Sequence, residues 1–126
     1  MIIFCIFAEL KNAVEIMADW NISVVPVRTA RDLRRFARFN VRLYRNHPYA
    51  VPDLIRDTVH SFMPSRNAAF EFCDAQTFLA YKDGKVVGRV AAIINRKANE
   101  AWKVRTVRFG WIDFIDDIRV SEALLD

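Results

Sequence analysis

Glycine is scarce in this sequence, with three residues in 126, and proline contributes four. That poverty excludes a flexible linker, a collagen-like repeat and a low-complexity segment. There are two cysteines, Cys5 and Cys73, far apart and without CxxC spacing. They support neither a zinc site nor a disulfide framework and read as reduced thiols of a cytoplasmic protein. The two histidines, His47 and His60, have no partner at metal-ligand spacing, so no metal is expected. Ser61, Ser65 and Ser121 lack the glycine-flanked turn that exposes a hydrolase nucleophile.

No apolar run approaches the roughly 20 residues that cross a bilayer. The opening MIIFCIFA is short, has no basic segment before it, and is followed by ELKNAVEI, which has helical spacing. A membrane span is excluded, a secretory signal is weakly supported, and no membrane partner is expected. Residues 1–20 read as an N-terminal extension with helical character, and Met17 is an alternative start to Met1.

What the sequence does have is a 53% apolar fraction with ten phenylalanines and three tryptophans, enough for one core and too little for two domains. The formal charge of +4 permits phosphate-rich or anionic partners without choosing among them. Along the chain, NISVVPV reads as an edge strand because Pro26 cannot donate to a ladder on both sides. TARD then supplies a helix cap at Thr29, with Asp32 answering it.

A helix follows from about Ala30 to Asn46. At about 100° per residue its Leu33, Phe36, Ala37, Phe39, Asn40, Val41, Leu43 and Tyr44 share one side. Arg31, Arg34, Arg35, Arg38, Arg42 and Arg45 share the other. Arg31, Arg35, Arg38 and Arg42 form a candidate anion-binding face. A solvated charged face is the plainer account, and no aromatics interleave to read bases, so nucleic acid is not expected as a partner.

HPYAVPD is turn chemistry, and a second helix is expected from about Pro52 to Met63, with Leu54, Ile55, Val59 and Phe62 toward the core, ended by Pro64. Phe70 and Phe72 would pin the following loop to the body. QTFLAY, KDGK and VVGRVAAIIN spell strand, tight turn, strand, since Asp83-Gly84 suits the positive φ that a two-residue hairpin turn requires. RKANEAWKVRT reads as a loop or a short helical turn around Trp102. VRFGWIDFID reads as a fourth strand with Gly110 permitting a bulge. RVSEALLD starts a helix at Ser121. Trp102, Phe109, Trp111 and Phe114 are expected chiefly in the core, as strand aromatics usually are.

FLAYKDGKVVGRVAAIIN resembles the second and third strands of GNAT-type N-acyltransferases. Together with HPYAVPDL, NAAFEFCDAQTFLAYKDGKVVGR and RFGWIDFIDDIRVSEALLD, it is similar to longer bacterial GNAT-like proteins over about Asn21 to Asp126. The resemblance implies an α/β fold in which a mostly antiparallel sheet is packed by two helices, with residues 21–126 forming the N-terminal half of the domain. It also implies acetyl-CoA or another acyl-CoA as cofactor, with backbone groups of Ile112, Phe114 and Ile115 against its pantetheine arm. Asp113 is the in-strand carboxylate for a catalytic base.

The loop that should cradle the pyrophosphate departs from the family pattern: DFIDDIRVSEALLD has no glycine and carries Asp116 and Asp117. A half-domain of this kind is expected to be inactive alone and to associate with itself through the unpaired strand Val107 to Ile115. The alternative is a non-enzymatic module that holds an acidic or nucleic-acid partner on the arginine helix.

Overall fold

The computed structural model describes residues 21–126. The N-terminal extension and the choice between Met1 and Met17 lie outside the described residues. The elements run β1 (Ile22–Pro26), α1 (Ala30–Leu43), α2 (Ile55–Ser61), a 3-10 turn (Ala68–Glu71), β2 (Cys73–Lys82), β3 (Lys85–Asn95), α3 (Arg96–Trp102), β4 (Arg108–Phe114) and α4 (Ile118–Leu125). The sheet order is β1-β2-β3-β4, antiparallel at every pairing. The α/β class and the strand, helix, helix, hairpin, strand, helix order stand as read.

Local chemistry accounts for most of these boundaries. The Thr29 hydroxyl oxygen accepts from the Asp32 amide at 3.1 Å and its proton goes to Asp32 Oδ2 at 2.7 Å, which closes the N-terminus of α1. The β2–β3 turn has φ of 51° at Asp83 and 74° at Gly84, the left-handed pair that Asp-Gly supplies. β1 pairs with β2 alone among the described residues, as an edge strand carrying Pro26 should.

Two helices differ from expectation in their bounds, and around Trp102 the helical alternative holds. α2 is confined to Ile55–Ser61, because the residue before it, Leu54, is extended and leaves Pro52 and Asp53 outside the helix. The segment around Trp102 is a helix, capped by Asn95 and stopped by Lys103 in a left-handed conformation. α4 begins at Ile118 rather than Ser121, because Asp117 caps it by accepting from the Arg119 amide.

The sheet separates two cores. On one face Leu33 and Phe36 of α1 meet Leu79 and Ala91, with Val59 and Phe62 from α2 and its end. On the other face Val120 and Leu124 of α4 cover Ile22, Val24, Ala80, Val87 and Val90. The two early helices therefore share a face, and α4 closes the opposite one.

Between these layers β3 carries a bulge. Tyr81 pairs with Val86 and Ala80 with Gly88, so Val87 is an extra residue and points to the α4 side along with Gly88. The next residue, Arg89, is thereby turned to the α1 side.

Gly88 is where α4 approaches the sheet most closely. A Cβ there would stand 2.8 Å from Leu124 Cδ1, 2.9 Å from Val120 Cγ1 and 3.2 Å from Phe114 Cβ. Gly88→Ala is expected to cost about 1–3 kcal/mol through overpacking. Urea unfolding with an unchanged slope would measure it, and a variant as stable as the parent would refute this packing of α4.

Candidate functional site

The most unusual residue in the fold is an arginine in the middle of a strand. Arg89 is 1% exposed, and taking a guanidinium out of water costs several kcal/mol unless its donors are met. Here they are met. Asp113 Oδ2 on β4 lies 2.7 Å from both Nε and Nη2. Nη1 donates to the Phe36 carbonyl at 3.0 Å, and Nη2 also reaches Asp53 Oδ2 at 3.4 Å. The guanidinium carbon sits 5.0 Å from the centre of the Phe36 ring, a favourable cation–π distance. One buried cation thus ties β3, β4, α1 and the α1–α2 loop together.

Asp113 collects further donors from the end of α1. Asn40 Nδ2 reaches Oδ2 at 3.3 Å, and the Tyr44 hydroxyl donates to Oδ1 at 3.0 Å. Both oxygens are engaged within the fold. Oδ2 is crowded by Arg89 and Asn40, whereas Oδ1 carries the Tyr44 bond, so Oδ1 is the oxygen with acceptor capacity left for the proton transfer that the resemblance implies.

Burial pushes the Tyr44 hydroxyl above its ordinary 10.0, and the hydrogen bond to Asp113 and that carboxylate's charge push the same way, with Arg89 opposing. The folded chain therefore holds this proton more tightly than the unfolded one. The resulting stability is present at neutral pH and is lost as pH rises beyond 10 through the raised value. Tyr44→Phe is expected to remove this component, giving a flatter loss of thermal midpoint between neutral and strongly alkaline buffer. An unchanged slope would show that the hydroxyl does not bond Asp113.

β4 does carry an irregularity, located one residue from where the glycine suggested. The β3–β4 register shifts between Arg89 and Ala91, and the positive φ falls on Trp111, at 47°, while Gly110 is not in that region. A non-glycine residue there is strained, and Trp111 is held by edge-to-face packing on Phe62 at 4.9 Å. The shift puts Trp111 and Asp113 on the α1–α2 side, while Ile112 packs with the α4 core. The aromatics expected in the core are instead well exposed: Trp102 66%, Phe109 65%, Trp111 40% and Phe114 36%. For the three on β4 the cause is topological, since β4 is the last strand and nothing among the described residues pairs with its outer edge, while Trp102 ends α3, none of whose residues is buried.

Of the backbone positions implied for a pantetheine arm, Ile115 is committed internally. Its amide donates to the Val87 carbonyl at 2.9 Å and its own carbonyl accepts from Asp117 at 2.7 Å. Alternation along the strand turns the Phe114 and Ile112 backbones to the free edge. Beyond them the N-terminus of α4 already holds an anion. Asp117 accepts from the Arg119 side chain at 2.8 and 2.9 Å and from Lys82 Nζ at 3.2 Å. The hydrogen bonds from Arg119 above all hold this carboxyl well below the usual carboxylate range.

The arginine face of α1 is only partly solvated. Arg35, Arg38, Arg42 and Arg45, with Lys85 of the hairpin, border an open groove of about 870 Å³ floored by apolar side chains that include Phe39 and Ile115. Arg35 pairs with Asp32 at 2.8 Å, and Arg42 donates to the Val86 carbonyl at 3.3 Å. Arg31, the remaining member of the candidate face, does not border the groove.

Arg89 was missed as a functional residue in the sequence, although a charged residue amid VVG and VAAII was its signal. Asn40 and Tyr44 stood out in the same way, as polar groups on the apolar side of α1.

No family pattern matches this chain, and no solved structure does. Two curated proteins are similar to it. The bacterial ceramide synthase of Caulobacter vibrioides is 31% identical over 105 residues, covering 82% of this chain and 27% of that protein. Protein YghO of Escherichia coli K12 is 33% identical over 93 residues, covering 74% of this chain and 24% of that protein. The chain spans about a quarter of the length of these curated relatives.

Proposed function

We propose that this chain is the N-terminal half of a GNAT-type, acyl-CoA-dependent N-acyltransferase domain, and that it supplies scaffold rather than a complete transfer site. The observation that carries this reading is the similarity to a protein named bacterial ceramide synthase across 82% of the chain. A ceramide is an amide, so its synthesis is an N-acylation: an amine attacks an activated carbonyl, loses a proton, and the carrier leaves. The sheet order and the helices on both faces are in keeping with the acyltransferase resemblance of the sequence.

The residues after β4 do not fit the diphosphate of an acyl-CoA. No glycine occurs from Trp111 to Asp126, and Asp117 already occupies the start of α4. The chain's own residues instead fix geometry: Arg89 and Asp113 lock β4 to β3 and α1, and the outer edge of β4, unpaired among the described residues, can take a further strand from more of the polypeptide or from a second copy.

A chimaera tests this reading. The matching quarter of the Caulobacter ceramide synthase is replaced by this chain, and acyl transfer to an amine is measured by thiol release. Transfer by the chimaera, with none from this chain alone, is the expected result. A folded but inactive chimaera, or micromolar acetyl-CoA binding to this chain alone in calorimetry, would overturn it. A second reading, an interaction module for an acidic or nucleic-acid partner, has the basic groove in its favour. A salt-dependent gel shift abolished by Arg35→Glu and Arg38→Glu would support it.

A further inference from the structure

The loop between α1 and α2 has a feature that neither the sheet nor the Arg89 network requires. Tyr49 is 88% exposed, Val51 89% and Leu54 70%, three apolar side chains within six residues. Exposed apolar groups so close together are uncommon unless something covers them.

The loop is also fixed from behind. Asp53 reaches into the fold to Arg89 at 3.4 Å, Ala50 and Pro52 line a small cleft with Val41 and Tyr44, and the Ala50 amide donates to the His47 carbonyl at 3.3 Å. Inward and outward positions alternate from Tyr49 to Pro52. The outward set of Tyr49 and Val51, with Leu54 beyond Asp53, is held clear of the core.

Basic charge adjoins these tips. Val41 and Arg45 line both the cleft behind the loop and the larger groove, so the two surfaces are continuous. The groove adds Arg38, Arg42 and Lys85, and Arg56 stands 84% exposed two residues beyond Leu54. Of the nearby carboxylates, Asp53 is spent on Arg89, while Asp57 lies 4.0 Å from Arg56.

We propose that this face docks on an anionic lipid surface, with Val51 and Leu54 entering the acyl boundary, Tyr49 at headgroup depth, and Arg38, Arg42, Arg45, Arg56 and Lys85 over the headgroups. Apolar tips rimmed by cations match a bilayer interface, where burial of a few side chains and attraction to anionic lipid act together. A nucleic acid would use the cations and leave Val51 and Leu54 in water. The inference revises the expectation that no membrane partner exists, and it does not depend on the acyltransferase reading.

Sedimentation with vesicles of phosphatidylglycerol and phosphatidylcholine, against phosphatidylcholine alone, tests it. The chain should pellet with the anionic vesicles and be released by salt. Val51→Asp with Leu54→Asp should lower partitioning by about tenfold, because a charge replaces an inserted side chain. Arg38→Glu with Arg45→Glu should lower it by about as much and flatten the salt dependence. These positions lie outside both cores, and circular dichroism of each variant verifies the fold. Equal binding to neutral vesicles, tip variants that bind as the parent does, or no pelleting at low salt would overturn the proposal. So would displacement of the lipid by nucleic acid with the tip variants unaffected.

Discussion

Asp113→Asn is expected to lower the unfolding free energy by about 3–5 kcal/mol, the usual consequence of removing one partner of a buried ion pair. The asymmetry of such pairs is the reason. Arg89 is almost wholly enclosed, and its Nε and Nη2 both face Asp113 Oδ2 at 2.7 Å. The amide would keep the shape and one acceptor oxygen but remove the counter-charge, leaving a buried cation whose remaining carboxylate is the more distant Asp53. Against a typical domain stability of about 5–15 kcal/mol the loss is large, and a fraction of the variant would be unfolded at room temperature. Replacing both partners, Arg89→Met with Asp113→Leu, should cost much less than Asp113→Asn, since no charge is then stranded. Urea denaturation of the three proteins measures the order. An Asp113→Asn variant within about 1 kcal/mol of the parent would mean that Arg89 is solvated and that the pair does not join β3 to β4.

The elements legible in the sequence were those fixed by neighbours. Asp83-Gly84 specifies its turn through backbone conformation alone, Thr29 and Asp32 close a helix start three residues apart, and the apolar stripe of α1 buries Leu33, Phe36, Ala37 and Phe39 as its spacing implied. The features that escaped were fixed by partners distant in sequence. Arg89 was passed over in its strand because its acceptors lie on β4, on α1 and in the loop before α2. Trp111 takes the strained φ that Gly110 could have taken more cheaply, since its ring is held against Phe62 on another element. Phe109, Trp111 and Phe114 stayed outside because nothing local in the sequence says that β4 is an edge, and Trp102 because it ends α3, a helix that buries none of its residues. The exposed tips at Tyr49 and Val51 were hidden by the turn chemistry of HPYAVPD, which reports bends and not burial, and Leu54, expected toward the core, is exposed because it precedes α2 as its N-cap.

Phe36→Ala is expected to cost about 3–5 kcal/mol, the range for truncating an enclosed aromatic. Phe36 has no exposed surface, packs edge-to-face on Phe62 at 5.4 Å, and covers the Arg89 guanidinium at 5.0 Å. The cavity left would open beside the buried cation and admit water to it, so this loss overlaps with that of Asp113→Asn. The double variant should therefore fall short of the sum of the singles by about 0.5–3 kcal/mol, the coupling expected of residues that share a partner. Phe36→Leu separates the contributions, because it refills much of the volume without restoring a π face, and should recover well over half of the loss. Because Asp53 hangs from the same guanidinium, the Phe36→Ala and Asp113→Asn variants should also loosen the α1–α2 loop. Faster amide exchange at Tyr49 to Leu54 would show it, whereas exchange there that stays at parental rates in both variants would separate the loop from the network.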